Sequence, residues 1–485
     1  MNNPPKFHLR LGTWWLCATL ATLATLATLS ACASGPALER ASASAPAAFK
    51  EAPAADSNWF PAAPADALER GPWWQVFDDA TLSALLEQVE VSNQNVAAAT
   101  ANYAQAQALV RQENASFFPS LSMNAGIARS GADAAKPTNL QLGLGASWAP
   151  DVWGALRLAV TGAQASAQAS AANLAAARLS AQAALATDYF ALREADHEIT
   201  LLGGAVAAYD RALKITQNQY AAAIAQRTDV LQAQTQLEST RANLTAMVGQ
   251  RAVLEHAIAL LVGKAPAEFN LPVVNWTANV PAVPLLVPSE LLQRRPDIAA
   301  AERAVAAANA QVGVQRAAYF PSAALSASYG GAGSTLPNLL RASNTLWSLG
   351  LSVAQNLFDA GATAARVEGA QAARATAVAN YRQSVLSAFQ AVEDQLATSR
   401  SLAQQESQRR AASRDADLTE KLTMNQYLQG QLPFTSVVTA QVAALSARQT
   451  LSQLLSNRQA SAIGLIQAMG GGWHATATQT GAALP

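Results

Sequence analysis

Apolar residues first recur at helical spacing through Leu82, Leu85, Leu86 and Val89, which predicts a helix over 82–117. At Pro119 the period changes to two. Proline disfavours helical geometry in the residue before it and offers no backbone N–H. Beyond it Leu121, Met123, Ala125 and Ile127 alternate with Ser122, Asn124, Gly126 and Ala128. A polar loop follows over about 129–138. Then Leu140, Leu142, Leu144, Ala146 and Trp148 alternate with Gln141, Gly143, Gly145 and Ser147. Strands are expected at 120–129 and 139–149. Each has the length at which a tilted strand crosses a bilayer, and neither alternating core carries a charge. Trp148 and Trp153 sit where interfacial aromatics belong. A soluble hairpin is the alternative, but uncharged apolar faces on both strands weigh against it.

From Val152 to about Tyr220 there is no proline, and Ala, Leu, Gln, Ser and Arg dominate. As one helix this stretch is on the order of 100 Å long at 1.5 Å per residue. Gly203-Gly204 is a candidate kink. A turn near 221–227 reverses the chain. Thr228 or Asp229 is placed to cap a returning helix that ends near Gly263. Residues 266–288 are proline-rich and irregular.

The second half repeats this plan. Pro296-Asp297 opens a helix, with Asp297 favourably placed at its N-terminal dipole. After Pro321, Ala323, Leu325, Ala327 and Tyr329 alternate with small polar residues, and Trp347, Leu349, Leu351 and Val353 give a fourth strand. Strands are expected at 322–331 and 345–355. Between them Gly330-Gly331-Ala332-Gly333 reads as part of a flexible loop over 330–344. A second proline-free helix runs from about Gly361 to Tyr427, turns at Gly430-Gln431-Leu432-Pro433, and returns to Met469.

The two halves are related. Residues 98–120 and 300–322 agree at 10 of 23 positions, but six of those are alanine in an alanine-rich chain, so they count for little. The shared Phe-Pro-Ser at 118–120 and 320–322 is stronger, because it marks the switch from helix to strand. Lys214-Ile215-Thr216-Gln217-Asn218-Gln219-Tyr220 also matches Lys421-Leu422-Thr423-Met424-Asn425-Gln426-Tyr427 without help from alanine. We read one unit used twice, over 81–265 and 289–472, with 266–288 as linker.

Composition changes this picture little. Lys plus Arg equals Asp plus Glu at 32 each, so nothing marks a nucleic-acid partner. Only 13% of residues are charged, which suits long helices in close contact. Of the two cysteines, Cys17 lies in a segment expected to be removed, which excludes an intrachain disulfide and cysteine metal sites. The four histidines are scattered, and His197-Glu198 lacks a second histidine at zinc-helix spacing. No cofactor and no enzymatic constellation is expected.

Residues 1–31 read as a secretory signal, with Lys6 and Arg10 before an apolar run from Leu11 to Leu29. Leu29-Ser30-Ala31-Cys32 resembles a bacterial lipobox, making Cys32 the lipidated N-terminus of the mature chain. Ordinary cleavage at Ala31-Cys32-Ala33 and a retained membrane helix are the alternatives. Ala33 stands where an aspartate would signal inner-membrane retention, so delivery to the outer membrane is implied. Residues 32–80 form a tether and an equatorial segment. The Ala-, Pro- and Ser-rich part at 33–66 cannot form a core, whereas Trp73-Trp74-Gln75-Val76-Phe77 needs a partner surface. Residues 473–485 read as a disordered tail.

Four membrane strands cannot close a barrel, open edges are not tolerated in lipid, and the smallest closed barrels need about eight strands. The chain must therefore oligomerise. Three copies supply twelve strands and six repeats, whose helices could form a tube continuous with the barrel.

Residues 287–298, Val-Pro-Ser-Glu-Leu-Leu-Gln-Arg-Arg-Pro-Asp-Ile, together with Tyr319-Phe320-Pro321-Ser322 and the lipobox, carry a specific resemblance. The chain resembles the TolC-like outer-membrane efflux proteins, in the lipoprotein branch that includes NodT and OprM, over nearly everything from Cys32 to Trp473. The resemblance implies a mostly α chain with a membrane β-barrel: a homotrimer whose 12-stranded barrel continues into a long periplasmic α-helical barrel. It implies the passive exit duct of a tripartite pump, passing small molecules such as drugs or other toxic compounds. The implied partners are a periplasmic adaptor, an inner-membrane RND transporter and outer-membrane lipid. A type I protein-secretion duct of the same fold and a poreless periplasmic coiled-coil lipoprotein are the alternatives.

In the family, closure is set at the two helical hairpins. The matching positions are Tyr220, Arg227 and Asp229 in the first, and Tyr427, Gly430, Thr435, Ser436 and Thr439 in the second. Relatives often place aspartates at positions matching Ser436 or Thr439, and this chain does not. Asp229 is the only acid in either turn, and it reads as a helix cap or as a gate residue. The expected gate binds cations less than acidic-ring relatives do, and uses Tyr427, Leu432 and Phe434 as steric plugs.

Overall fold

The computed structural model describes residues 46, 48–51, 71–129, 138–274, 276–281, 283, 294–339 and 341–471. Cys32, the signal segment and the C-terminal tail lie outside them. The described chain comprises α1 (Ala80–Ser92), α2 (Gln94–Ala115), β1 (Ser120–Arg129), β2 (Thr138–Trp148), α3 (Ala155–Ala221), α4 (Arg227–Leu261), α5 (Pro296–Ala317), β3 (Ser322–Gly333), α6 (Leu336–Leu339), β4 (Thr345–Ala354), α7 (Ala362–Leu428) and α8 (Phe434–Ala468). Its contacts divide into two units.

The first unit contains Tyr103–Ser170 and Ala300–Arg382. Its centre is one antiparallel sheet in the order β1-β2-β3-β4. Met123 lies opposite Leu144, Leu144 opposite Tyr329, and Tyr329 opposite Trp347. The period-two pattern thus gathers most of the large apolar residues of the four strands on one face, Leu346 on β4 being an exception. That face is bare within the chain: Met123, Ile127, Trp347, Leu349 and Leu351 are all exposed. The other face is mostly small and polar, rich in serine and glycine with Asn124, Asn139 and Gln141 among them. Ser120 meets Ser147, and Ser328 meets Ser348, each through hydroxyl oxygens 2.8 Å apart. β1 and β4 are the edges.

Two expectations about the elements flanking and forming the sheet fail. The helix over 82–117 is two helices, because Asn93 leaves the helical conformation and caps the second. Its Oδ1 accepts from the Asn95 and Val96 N–H groups, and its Nδ2 donates to the Leu261 carbonyl at 2.8 Å. Nor is 330–344 a loop throughout. β3 runs on to Gly333, followed by the short α6. Glycine permits this, since a Cβ at Gly330 would lie 2.5 Å from the Leu142 carbonyl oxygen of the neighbouring strand.

The junction between β2 and α3 is fastened to the start of β3. Trp153 stacks on Phe320 with ring centroids 4.9 Å apart, and its indole N–H donates to the Pro321 carbonyl at 2.5 Å.

The second unit contains Ala43–Asn102, Ala171–Ala299 and Gln383–Pro485. Its main core joins Trp73, Trp74 and Phe77 to Leu82, Leu86 and Val89 of α1, to Leu185, Tyr189 and Phe190 of α3, and to Ile258 and Ile463 of the return helices. Full burial of each such side chain contributes roughly 1.5–3 kcal/mol. The Trp73 indole N–H is satisfied by Gln182 Oε1 at 3.1 Å. Asp79 caps α1 through the Leu82 N–H at 2.9 Å and accepts from the Tyr189 hydroxyl at 2.7 Å. Burial, and then this bond, push the Tyr189 phenol up to about 12.

The fully buried Asp196 is held between Arg193 at 3.0 Å and Arg251 at 2.6 Å. Those two arginines also donate to the carbonyls of Pro272 and Leu271. The irregular linker is thereby fastened to α3 and α4 by this buried charged cluster. Arg295 ties two helix ends together: it chelates Asp297 at the start of α5 and donates to the Ala468 carbonyl at the end of α8. Burial pushes the Asp297 carboxyl up, but Arg295 together with the Ile298 and Asp297 backbone N–H groups brings the net shift down.

The expectation that 33–66 takes no part in a core fails at Phe49. Its ring is buried against Phe389, 6.4 Å away, and Glu393 accepts from the Lys50 and Glu51 N–H groups.

Candidate functional site

The two helical hairpins lie in the second unit. In each, a long helix ends, the chain turns within a few residues, and a shorter helix returns. α3 and α7 are 67 residues each, and α4 and α8 are 35 each. All four begin and end at a constant separation of 207 residues, as comparison of Ala155 with Ala362 and Leu261 with Ala468 shows.

The turns share one geometry. Ala223 and Gly430 both take the left-handed conformation, with φ of 58° and 73°. Bonds from Ala223 N to Tyr220 O and from Gly430 N to Tyr427 O, each 2.9 Å, close the helix ends. Glycine suits this position and alanine is strained there. The return helices start differently. In the first, Asp229 accepts from the Gln226 N–H at 3.2 Å, half of a capping box. In the second, Pro433 precedes Phe434 and has no N–H to satisfy.

The hairpins are packed against each other within one chain. Ala212 and Ala233 of the first enclose Tyr427, Phe434 and Val437 of the second. The Tyr427 and Phe434 rings are tilted with centroids 5.2 Å apart. The Tyr427 hydroxyl donates to Gln219 Oε1 at 2.5 Å, and the Tyr209 hydroxyl donates to the Gln441 carbonyl at 3.2 Å. Burial pushes the Tyr427 phenol up, with Asp229 adding to the shift and Thr216 opposing it.

The residues singled out from sequence therefore divide. Tyr427 is 8% exposed and Phe434 is 1% exposed. The Phe434 ring fills the contact between the hairpins of one chain. Leu432 is half-buried at the turn, and Ser436 is half-buried on α8. Thr435 and Thr439 are exposed, with the Thr439 hydroxyl donating to the Thr435 carbonyl at 2.9 Å. Tyr220 and Arg227 are exposed, and Asp229 is half-buried in its capping role. Tyr220 stands at the position of Tyr427, yet it is 48% exposed. Sequence reasoning missed Gln219, Gln441 and the two small residues Ala212 and Ala233. The available signal was the heptad spacing of Tyr427, Phe434 and Gln441, which needs a facing surface of small residues.

Among the described residues, no helix is long and apolar enough to cross a membrane, and no cluster of His, Cys, Asp and Glu could hold a metal ion. The bilayer-length element is the sheet.

The pattern of the family described as outer membrane efflux protein matches residues 85–264 and 287–471. The pyoverdine export outer membrane protein OpmQ of Pseudomonas aeruginosa is 30% identical over 459 residues, covering 89% of this chain and 94% of its own. The cation efflux system protein CusC of Escherichia coli is 28% identical over 414 residues, covering 84% of this chain and 90% of its own. The open-state MtrE outer membrane channel of Neisseria gonorrhoeae superposes with a TM-score of 0.80 at 26% identity, covering 91% of this chain and 98% of that one. With a match that spans both halves, the chain belongs to the outer membrane efflux protein family.

Proposed function

We propose that three copies of this chain close their sheets into one 12-stranded barrel in the outer membrane and join their helices into a periplasmic tunnel. The assembly is the exit duct of a tripartite pump. It conducts small toxic molecules passively, delivered by an inner-membrane RND transporter through a periplasmic adaptor. Each chain is one duplicated unit, and the constant 207-residue separation of its long and return helices supports that reading. Lipid on Cys32 anchors the chain to the membrane.

The observation that carries the proposal is the sheet. Its apolar face is exposed, its other face is mostly small and polar, and among the described residues neither edge is paired within the chain. Lipid on the outside and water on the inside suit those two faces, and only a closed ring satisfies the edges.

The hairpins form the periplasmic gate. Within a chain they are held by uncharged contacts around Tyr427, Phe434 and Gln219, and no acid stands at Ser436 or Thr439. Reconstitution in planar bilayers tests the duct: discrete conductance steps are expected, with little block by divalent cations from the periplasmic side. Absence of conductance from correctly inserted protein contradicts the proposal.

A further inference from the structure

The edges of the sheet carry enough information to set the register of the seam between subunits. This inference rests on the duplicated-unit and closed-barrel reading above. We infer that β4 pairs antiparallel with β1 of the partner subunit so that Val353 lies opposite the partner's Ala125.

The two halves of one chain are already paired with each other. There β2 pairs with β3, and Ala146 lies opposite Ala327. If the halves are copies, β2 is to β3 as β4 is to β1 of the next chain. Two offsets complete the translation. β1 and β3 are separated by 202 residues, since Ser120 and Ser322 open them after the same Phe-Pro. β2 and β4 are separated by 207, because Ser120 lies opposite Ser147 while Ser322 lies opposite Ala354. The helices give 207 independently, from Ala155 and Ala362. Carrying Ala146 forward by 207 and Ala327 back by 202 gives Val353 opposite the partner's Ala125. The neighbouring pairs follow: Ala354 with the partner's Asn124, and Leu351 with the partner's Ile127.

A check that the offsets do not contain supports this register. Side chains alternate faces along a strand, so a slip by one residue sends every apolar side chain to the wrong side. Val353 and Leu351 belong to the bare apolar face of β4, and Leu349 opposite Ala327 continues it into β3. Ala125 and Ile127 belong to the same face of β1, opposite Leu142 and Leu140. The derived register therefore joins apolar face to apolar face around the ring. The serine and glycine face is equally continuous, with Ser352 opposite the partner's Gly126. Slips of two residues would keep the faces but change every partner, so an experiment must separate them.

Engineered disulfides in the full-length protein do so. Directly opposed residues in an antiparallel pair have Cα atoms about 4.5–5.5 Å apart, within disulfide reach, whereas residues two positions away along the strand are not. Adjacent pairs alternate between the two ladder geometries, so two pairs are tested: Ala125→Cys with Val353→Cys, and Asn124→Cys with Ala354→Cys. The slipped controls are Ala125→Cys with Leu351→Cys and Ala125→Cys with Gln355→Cys. Each cysteine alone reports background from Cys17 and Cys32, which both precede the sheet.

Oxidation of either in-register pair is expected to move most of the protein into a reducible covalent trimer, with the slipped pairs near background. A sized trimer in which a slipped pair crosslinks instead, or in which neither in-register pair does, overturns the register while leaving the closed barrel standing. Protein that never sizes as an oligomer overturns both.

Discussion

Tyr427 near the end of one long helix donates its hydroxyl to Gln219 near the end of the other, at 2.5 Å. The two positions are one residue out of step in otherwise matching Asn-Gln-Tyr sequences, so the contact crosses from one hairpin to its counterpart. The corresponding tyrosine, Tyr220, is left exposed. Tyr427 thus serves the contact between the two hairpins of one chain.

Removing that hydroxyl isolates its contribution. Tyr427→Phe keeps the ring against Phe434 and is expected to cost about 1 kcal/mol, the net worth of a neutral hydrogen bond. Single-channel recordings should show longer or more frequent openings. The phenol's pKa is raised by burial from its ordinary value of 10.0, so the folded state favours the protonated form. Stability from this group is fully present below 10.0 and is lost as pH rises through the shifted value. The difference between Tyr427→Phe and the native protein should therefore be constant from about pH 6 to 9.

Phe434 is the buried centre of the same contact. Phe434→Ala is expected to cost about 3–5 kcal/mol at the hairpins, as for other large-to-small changes in a core. Leu432→Ala, at the half-buried turn, should cost much less. Limited proteolysis of the hairpin ends, read as relative cleavage rates, distinguishes the two.

The matched turns make opposite predictions. Gly430→Ala places a side chain in the left-handed region and should destabilise by about 1–2 kcal/mol. Ala223→Gly relieves that strain but loosens the unfolded chain by about 0.4–1 kcal/mol, so it should be neutral to mildly stabilising. Thermal unfolding in detergent checks both.

Glu194 on α3 supplies a pH-dependent term. Burial, then repulsion from Glu198, push its carboxyl above 4.5, with Ser452 partly opposing through a 3.2 Å bond. An acid whose folded value is raised binds its proton more readily when folded, so its contribution falls as pH climbs from about 4.5 through the raised value. Glu194→Gln should therefore raise the melting temperature at pH 7.5 and leave it unchanged at pH 4. A drop at pH 7.5 would contradict this account of the carboxyl.

Much of the architecture could be read from period alone. The alternation from Leu121 to Ile127 marks β1 because one face of the sheet is apolar and the other is serine and glycine, so neighbouring positions differ sharply. The breaks were less visible. Asn93 interrupts a helix through a cap whose other partner, Leu261, is 168 residues away. Gly330 extends a strand because the neighbouring backbone comes close, which composition reads only as looseness. At the hairpins the landmarks Tyr427 and Asp229 were legible, but the burial of Phe434 was not. That burial depends on Ala212 and Ala233 leaving a hollow, and alanine is too common here to signal one.

If this sheet is one third of a closed ring, the protein exists as three chains. Native mass spectrometry of the full-length protein, extracted from outer membranes in mild detergent, measures this directly. A species of three chains that resists dissociation until the sheet unfolds is the predicted result. A stable, folded single chain as the dominant species would contradict it.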